Sequence, residues 1–277
     1  VFYIYDGIHY YEKREDDILY GIVSSITDSK NPELQNWKHK TKVSVLKKIK
    51  DNHLFNSIPE SNTIQFVISF IYPSIFSSKN EAKYFLTILG DNLQKKQKDL
   101  VHFINPYSKA LLKRLNHKSN VLLSYSCTQT FKIKCHEKHY RHISECRVVP
   151  IEPSVQTENL WTDFLSNYSL DLFCVACHYS NRYISSENYI MNHSNDNELS
   201  TFVHKIKNNS IRELFLEFQK QYLFIFENEE PNNSDIIPFW NYSPQENTSI
   251  LGSKNEETNI KITWKNMFYL WKDFLKI

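Results

Sequence analysis

Glycine is nearly missing from this chain: Gly7, Gly21, Gly90 and Gly252 are the four glycines among 277 residues. Backbone that must approach a phosphate closely, or take a positive φ, depends on glycine. Neither a GxxxxGK[ST] loop nor a GxGxxG fingerprint can be assembled from these four. A nucleotide site of either kind is therefore excluded. Apolar material for a core is ample, since 41% of the residues are hydrophobic and 14% aromatic, and a charged fraction of 23% argues against wholesale disorder. The length fits one large domain or two of ordinary size.

Hydrophobic periodicity predicts a mainly α fold with minor β, a multi-helix globular domain with an N-terminal hairpin and a small β element near 121–150. Residues 1–12 read as the hairpin, with Asp6-Gly7 as a two-residue turn between aromatic runs. Helices are expected at about 15–27, over 33–54, from Glu60 to Ile71 with Pro73 as the stop, and from Ser78 along Ala82, Phe85, Leu86 and Leu89. Leu100–Ile104 suits a strand, and Pro106 suits the first turn of a helix carrying Leu111 and Leu115. Thr130–Lys134 and Arg147–Ile151 are candidate strands. From Glu158 the spacing of Trp161, Phe164, Leu165 and Tyr168 turns helical again, and Leu170, Phe173, Cys174 and Cys177 repeat it. Further helices are expected over 197–207 and 210–226, and a last one carries Trp264, Met267, Phe268 and Trp271. The expected organisation is a basic helical domain over 1–120, a mixed then helical region over 121–226, an acidic loop or linker over 227–259 and a C-terminal helix over 260–277.

Charge is spread unevenly. The whole chain is only +2, but residues 30–120 hold 16 Lys+Arg against 6 Asp+Glu. Neutralising phosphates drives sequence-independent nucleic-acid binding, so a block of this size points to DNA as partner. Lys38, Lys40, Lys42, Lys47, Lys48 and Lys50 crowd one helix, Lys95, Lys96 and Lys98 follow a second, and Lys109, Lys113, Arg114 and Lys118 line a third. Converging faces would form a phosphate-tracking groove, with lysines as point charges free of base specificity. Trp37, Tyr72, Tyr84 and Tyr107 could stack the bases of a single strand. The competing reading is a set of solvated helix faces, with those aromatics in the core.

Zinc is the second candidate chemistry. Cys135, Cys146, Cys174 and Cys177 supply four thiols, and His139 could replace one of them. Against this, Cys174 and Cys177 share a stripe with Leu170 and Phe173, where free cysteine behaves as a small hydrophobe. Asp16-Asp17 and Glu229-Glu230 are adjacent carboxylates in polar settings, better read as helix-start bias and loop than as a metal site. No catalytic residue is identified. Five cysteines, an odd number, suggest free thiols in a reducing, intracellular compartment. No signal-like opening and no apolar run of about 18 residues suggests secretion or a membrane partner. The Val1 start reads as a fragment, and the weight of Asn, Lys, Ile, Ser and Tyr matches an AT-rich genome.

Several stretches resemble the poxvirus-type primase–helicase family of nucleocytoplasmic large DNA viruses. YIYDGIHYYEKREDDI resembles the start of the helical region between the primase and helicase domains, and SIPESNTIQFVISFIYPSIFSSKNEAKYFLTILGDNLQKK (57–96) is similar to the part that follows. CVACHYSNRY (174–183) and MFYLWKDFL (267–275) add fainter likeness. The resemblance implies a multidomain, ATP-driven, hexameric replication protein of the viral factory in the host cytoplasm. Its middle portion would contact single-stranded or forked DNA and other domains of the same polypeptide. The Walker-type loop and a paired-carboxylate primase core are missing here, so no catalytic role carries over. A structural or protein-interaction module, or a zinc-dependent nucleic-acid protein, is the alternative expectation.

Overall fold

The computed structural model describes residues 2–96, 99–133, 137–208, 211–222 and 263–275. The fold is mainly α with minor β. The chain divides into a large unit over 1–210 and a small one over 211–276. No boundary falls at 120, contrary to the expected organisation: residues on both sides of it share one core, from Tyr10 through Leu115 and Phe131 to Val203.

The N-terminal hairpin pairs β1 (Phe2–Tyr5) with β2 (Tyr10–Lys13), with Tyr5 opposite Tyr10. The connection is therefore the four residues Asp6 to His9, and the expected two-residue turn is corrected. The Asp6 carboxylate organises this loop by accepting hydrogen bonds from the Ile8 and His9 amides, both at 2.8 Å. Gly7 supplies the φ of +99° that the bend needs. Then come α1 (Glu15–Thr27), α2 (Pro32–Asn36) and α3 (Lys38–Asp51). The single helix expected over 33–54 is broken at Trp37, whose φ and ψ of −98° and 16° leave the helical range.

The core is built on two helices buried almost all round. α4 (Ser61–Ile71) ends before Pro73 as its sequence predicts, and a capping box between Ser78 and Glu81 opens α5 (Lys79–Leu93). Eleven residues of α5 are buried, well beyond the single stripe of Ala82, Phe85, Leu86 and Leu89. α5 lies against α8 (Ser169–Tyr183), of which eleven residues are also buried. Their backbones touch at Gly90: a Cβ there would sit 2.2 Å from the Ala176 carbonyl oxygen. Only glycine allows this approach. Each large apolar side chain enclosed here contributes roughly 1.5–3 kcal/mol.

Around this pair stand β3 (Val101–Phe103), a short turn at Pro106–Ser108, α6 (Lys109–Leu123), β4 (Phe131–Lys132), β5 (Cys146–Val148) and α7 (Asn159–Asn167). The three strands form a parallel sheet in the order β4-β3-β5. α7 stacks Phe164 on Phe70 of α4 at 3.8 Å. After α8 come α9 (Ser186–Asn188), a π-helical turn at Tyr189–His193, α10 (Asn197–Val203) and α11 (Lys205–Asn208). The helix expected over 197–207 is thus interrupted at His204. The hairpin is fastened to α8 by Asp171, which accepts from the Tyr10 amide at 2.7 Å and meets His9 Nδ1 at 2.6 Å.

The small unit pairs α12 (Ile211–Tyr222) with α13 (Trp264–Leu275) over Leu214, Phe218 and Phe274, with Trp271 edge-on to Phe218. The acidic loop expected over 227–259 lies outside the described residues. No helix among the described residues is long and apolar enough to cross a membrane.

Candidate nucleic-acid interface

α3 is a helix that buries nothing. Six of its fourteen residues are lysine, against one aspartate, and Leu46 and Ile49 are only half-buried. Val43 and Val45 stay exposed, so the apolar arc of Val45, Leu46 and Ile49 is a shallow seat and no part of a core. A helix this polar draws its stability from ties at its edges. Lys38 Nζ donates to Thr27 Oγ1 at 2.9 Å and Lys50 pairs with Glu15 at 3.0 Å, so α3 runs antiparallel to α1. Lys40 holds its ammonium 4.4 Å from the centre of the exposed Trp37 ring. The first turn has neither a side-chain cap nor an acidic residue. Lys38, Lys40 and Lys42 thus crowd the positive end of the helix dipole, where a cation costs about 0.3–1 kcal/mol. That placement disfavours the isolated helix and suits one facing anions.

α6 presents Lys109, Lys113 and Arg114 outward, while Leu111, Leu112 and Leu115 enter the core. Among the described residues, none of Lys40, Lys42, Lys47, Lys48, Lys109, Lys113 and Arg114 has a carboxylate within ion-pair distance. Tyr3 donates its hydroxyl to the Leu122 carbonyl near the end of α6, and its neighbour Phe2 lies under Lys50, 5.7 Å away. β1 thus touches both the C-terminal end of α3, at Lys50, and the last turn of α6, at Leu122. Lys109 begins α6, about 20 Å back along its axis at 1.5 Å per residue.

Lys96 departs from the expected interface. α5, α6 and α8 end at one corner, where orphan carbonyls and negative dipole ends accumulate. Lys96 Nζ donates to the Ser180 carbonyl at 3.0 Å, Asn181 Oδ1 at 3.2 Å and the Ile184 carbonyl at 3.4 Å, capping α8. Burial pulls its pKa below the ordinary lysine value, against the opposing pull of Asp91. Lys95 holds its ammonium 4.8 Å from the Tyr125 ring centre. Lys96 is thereby a structural cation, while Lys95 stays exposed. Of the aromatics considered for stacking, Tyr84 is fully buried and Tyr107 donates to the Ile151 carbonyl at 2.7 Å. Tyr72 is partly buried against the core with Lys79 5.9 Å away, which leaves Trp37, 56% exposed, as the candidate platform.

Among the described residues no group of three or more His, Cys, Asp or Glu side chains could hold a metal ion, and Cys135 lies outside them. Cys174 and Cys177 are buried inside α8, and burial pushes both thiols upward, toward the protonated form that binds metal poorly. Cys146 is buried at the start of β5, and His139 packs edge-on to Phe103 at 5.3 Å. Asp16 and Asp17 sit exposed in the first turn of α1, and Glu229-Glu230 lie outside the described residues.

One polar cluster had no sequence signal. Arg147, 4% exposed, makes two hydrogen bonds of 2.7 Å to Glu187, and His204 Nε2 and Lys207 Nζ reach the same carboxylate at 3.3 and 3.8 Å. Burial pushes Glu187 upward, but the bonds and charges of Arg147 and His204 outweigh it and leave the carboxyl below its ordinary range. Its members lie up to 60 residues apart in the chain, beyond any local pattern. Beside it, His102 pairs in register with Arg147 and is pushed down to about 3 by burial and by that guanidinium. The cluster is a staple between β5, α9, α10 and α11.

A second feature unseen in the sequence is an apolar groove of about 540 Å³ between β1, α1 and α3, lined by Ile4, Ile18, Gly21, Ile22 and Val45. The chain matches no protein-family model, no curated protein and no solved structure.

Proposed function

We propose that this chain is a non-catalytic nucleic-acid-binding element, with α3 as its main contact and the outward lysines of α6 as a second cationic face. The observation that carries this reading is the surface of α3: six lysines on a helix with no buried residue, five of them without a carboxylate partner among the described residues. Charge held so far in excess of local neutralisation attracts phosphates and releases their counterions. Lys40 and Lys47 point away from the α1 side, and Trp37 offers a ring for an unpaired base, so single-stranded or forked DNA is the favoured ligand. In the wider setting the segment serves a replication protein of the primase–helicase type in a large DNA virus, acting in the viral factory beside ATP-driven domains of the same polypeptide. That setting rests on the resemblance of residues 3–18 and 57–96.

The test is fluorescence anisotropy with labelled single-stranded and forked DNA across a salt series. Binding should weaken linearly in log–log form, with a slope of about −0.7 per phosphate contact on a single strand. The triple variant Lys40→Glu, Lys47→Glu, Lys50→Glu should flatten it. No binding at low salt would refute the reading. A protein-interaction module would then be favoured by the apolar groove beside α3.

A further inference from the structure

The cationic face of α3 has a hydroxyl at its centre. At about 3.6 residues per turn, Trp37, Lys40, Ser44, Lys47 and Lys48 fall on one stripe of the helix, with Ser44 in the middle. Side chains three and four residues apart on a helix are neighbours, with about 5–6 Å between Cβ atoms. Ser44 therefore has Lys40 one turn before it and Lys47 and Lys48 one turn after. None of these three has a carboxylate within ion-pair distance among the described residues. Asp51, the one acid of α3, follows two turns later, about 10 Å along the axis. Ser44 is exposed, and its hydroxyl has no hydrogen-bond partner among the described residues. The hydroxyls of α1 behave differently: Ser25 and Thr27 donate back to the Gly21 and Val23 carbonyls, each at 2.8 Å, and Ser24 donates to Asp28 at 3.2 Å. Thr41, the other hydroxyl of α3, lines the groove on the α1 side.

We propose that Ser44 is a phosphorylation site through which a serine/threonine kinase selective for basic surroundings releases the chain from nucleic acid. This inference rests on the reading of α3 as the phosphate-binding helix. Lys40, Lys42, Lys47 and Lys48 bracket the acceptor on both sides and would meet an acidic substrate cleft. A kinase takes its acceptor in extended backbone, so the helix must open locally. α3 buries no residue and its first turn has no side-chain cap, so that opening costs little. In the transfer, the Ser44 oxygen bonds to the γ-phosphorus of ATP and the bond from that phosphorus to the β-phosphate oxygen breaks. ADP leaves, and the hydroxyl proton passes to the base of the kinase. The product carries about −1.5 to −2 charge at pH 7 and three acceptor oxygens. Set among Lys40, Lys47 and Lys48, it would occupy the ammonium groups that otherwise meet a nucleic-acid backbone, and repel that backbone as well.

The test treats the full chain with protein kinase C and labelled ATP, and locates the label by mass spectrometry. Ser44 should be phosphorylated, and Ser44→Ala should lose that label. The modified chain then enters the anisotropy assay with single-stranded DNA. Loss of about two lysine contacts should make the log–log salt slope shallower by about 1.4 and weaken binding at ~0.1 M salt about 25-fold. Ser44→Ala should bind as the wild type does, before and after kinase treatment. A chain that takes no label at Ser44 overturns the proposal. So does a phosphorylated chain that binds DNA like the unmodified one, which would leave the nucleic-acid reading intact. An unmodified chain that binds no DNA sinks that reading first, and this inference with it.

Discussion

Replacing glycine by alanine should have opposite consequences at two helical positions of this protein. In an exposed helix interior the exchange gains about 0.8–1 kcal/mol, because alanine restricts the unfolded chain and shields the backbone. At Gly21 nothing lies within 4 Å of the new methyl group, so Gly21→Ala should deliver that gain. At Gly90 the methyl carbon would stand 2.2 Å from the Ala176 oxygen and 2.7 Å from both the Ala176 carbonyl carbon and Ser180 Cβ. Two of these three atoms are backbone, so no rotamer change relieves the contact. α5 and α8 would have to part by about 1 Å, which opens van der Waals gaps along both helices. Overpacking of this kind costs about 1–3 kcal/mol or more. The separation also loads a buried carboxylate, since Asp91 accepts from Ser180 Oγ and the Ser186 amide, each at 2.7 Å. After subtracting the propensity gain, Gly90→Ala should destabilise by roughly 2 kcal/mol, some 3 kcal/mol apart from Gly21→Ala. Urea titration of both variants, followed by far-UV circular dichroism, would give the two shifts in midpoint. A Gly90→Ala protein that unfolds at or above the wild-type midpoint would refute the close approach of α5 and α8.

Glycine scarcity makes a second prediction. Lys95 and Ser124 hold φ values of 55° and 59° where α5 and α6 end, positions that glycine usually fills. Ser124→Gly should therefore raise stability by up to about 1 kcal/mol in thermal unfolding, and Lys95→Gly should gain less because its contact with Tyr125 is lost. The Arg147–Glu187 pair should behave as a buried ion pair. Removing one partner by Glu187→Leu should cost about 3–5 kcal/mol, whereas Arg147→Met with Glu187→Leu should cost much less, as a double-mutant cycle will register. Because Glu187 is held below its ordinary pKa, its contribution is complete above the unfolded-state value near 4.3 and fades as pH falls toward the folded value. Asp171, raised chiefly by burial, acts oppositely: its ionisation costs stability once pH rises above the ordinary aspartate range. Acid titration of Glu187→Gln should therefore be flatter than wild type below pH ~4.3.

Local chemistry was legible in the sequence. The hairpin, the stop before Pro73, the start of α5 at Ser78 and the turn at Pro106 depend on neighbouring residues, and all stand where the chain order places them. The excess of lysine over residues 30–120 is likewise a property of composition. Tertiary packing decided the rest. Periodicity identifies one apolar face, so it could not reveal that α5 and α8 are enclosed on nearly every side. The sheet joins strands of two and three residues drawn from up to 45 positions apart, too short to carry a pattern of their own. Lysines of equal charge met different fates: Lys96 turned inward onto the end of α8, Lys50 found Glu15, and Lys47 faces water. A side chain's charge is written in its identity, but its direction depends on which helix ends and carbonyls the fold brings beside it.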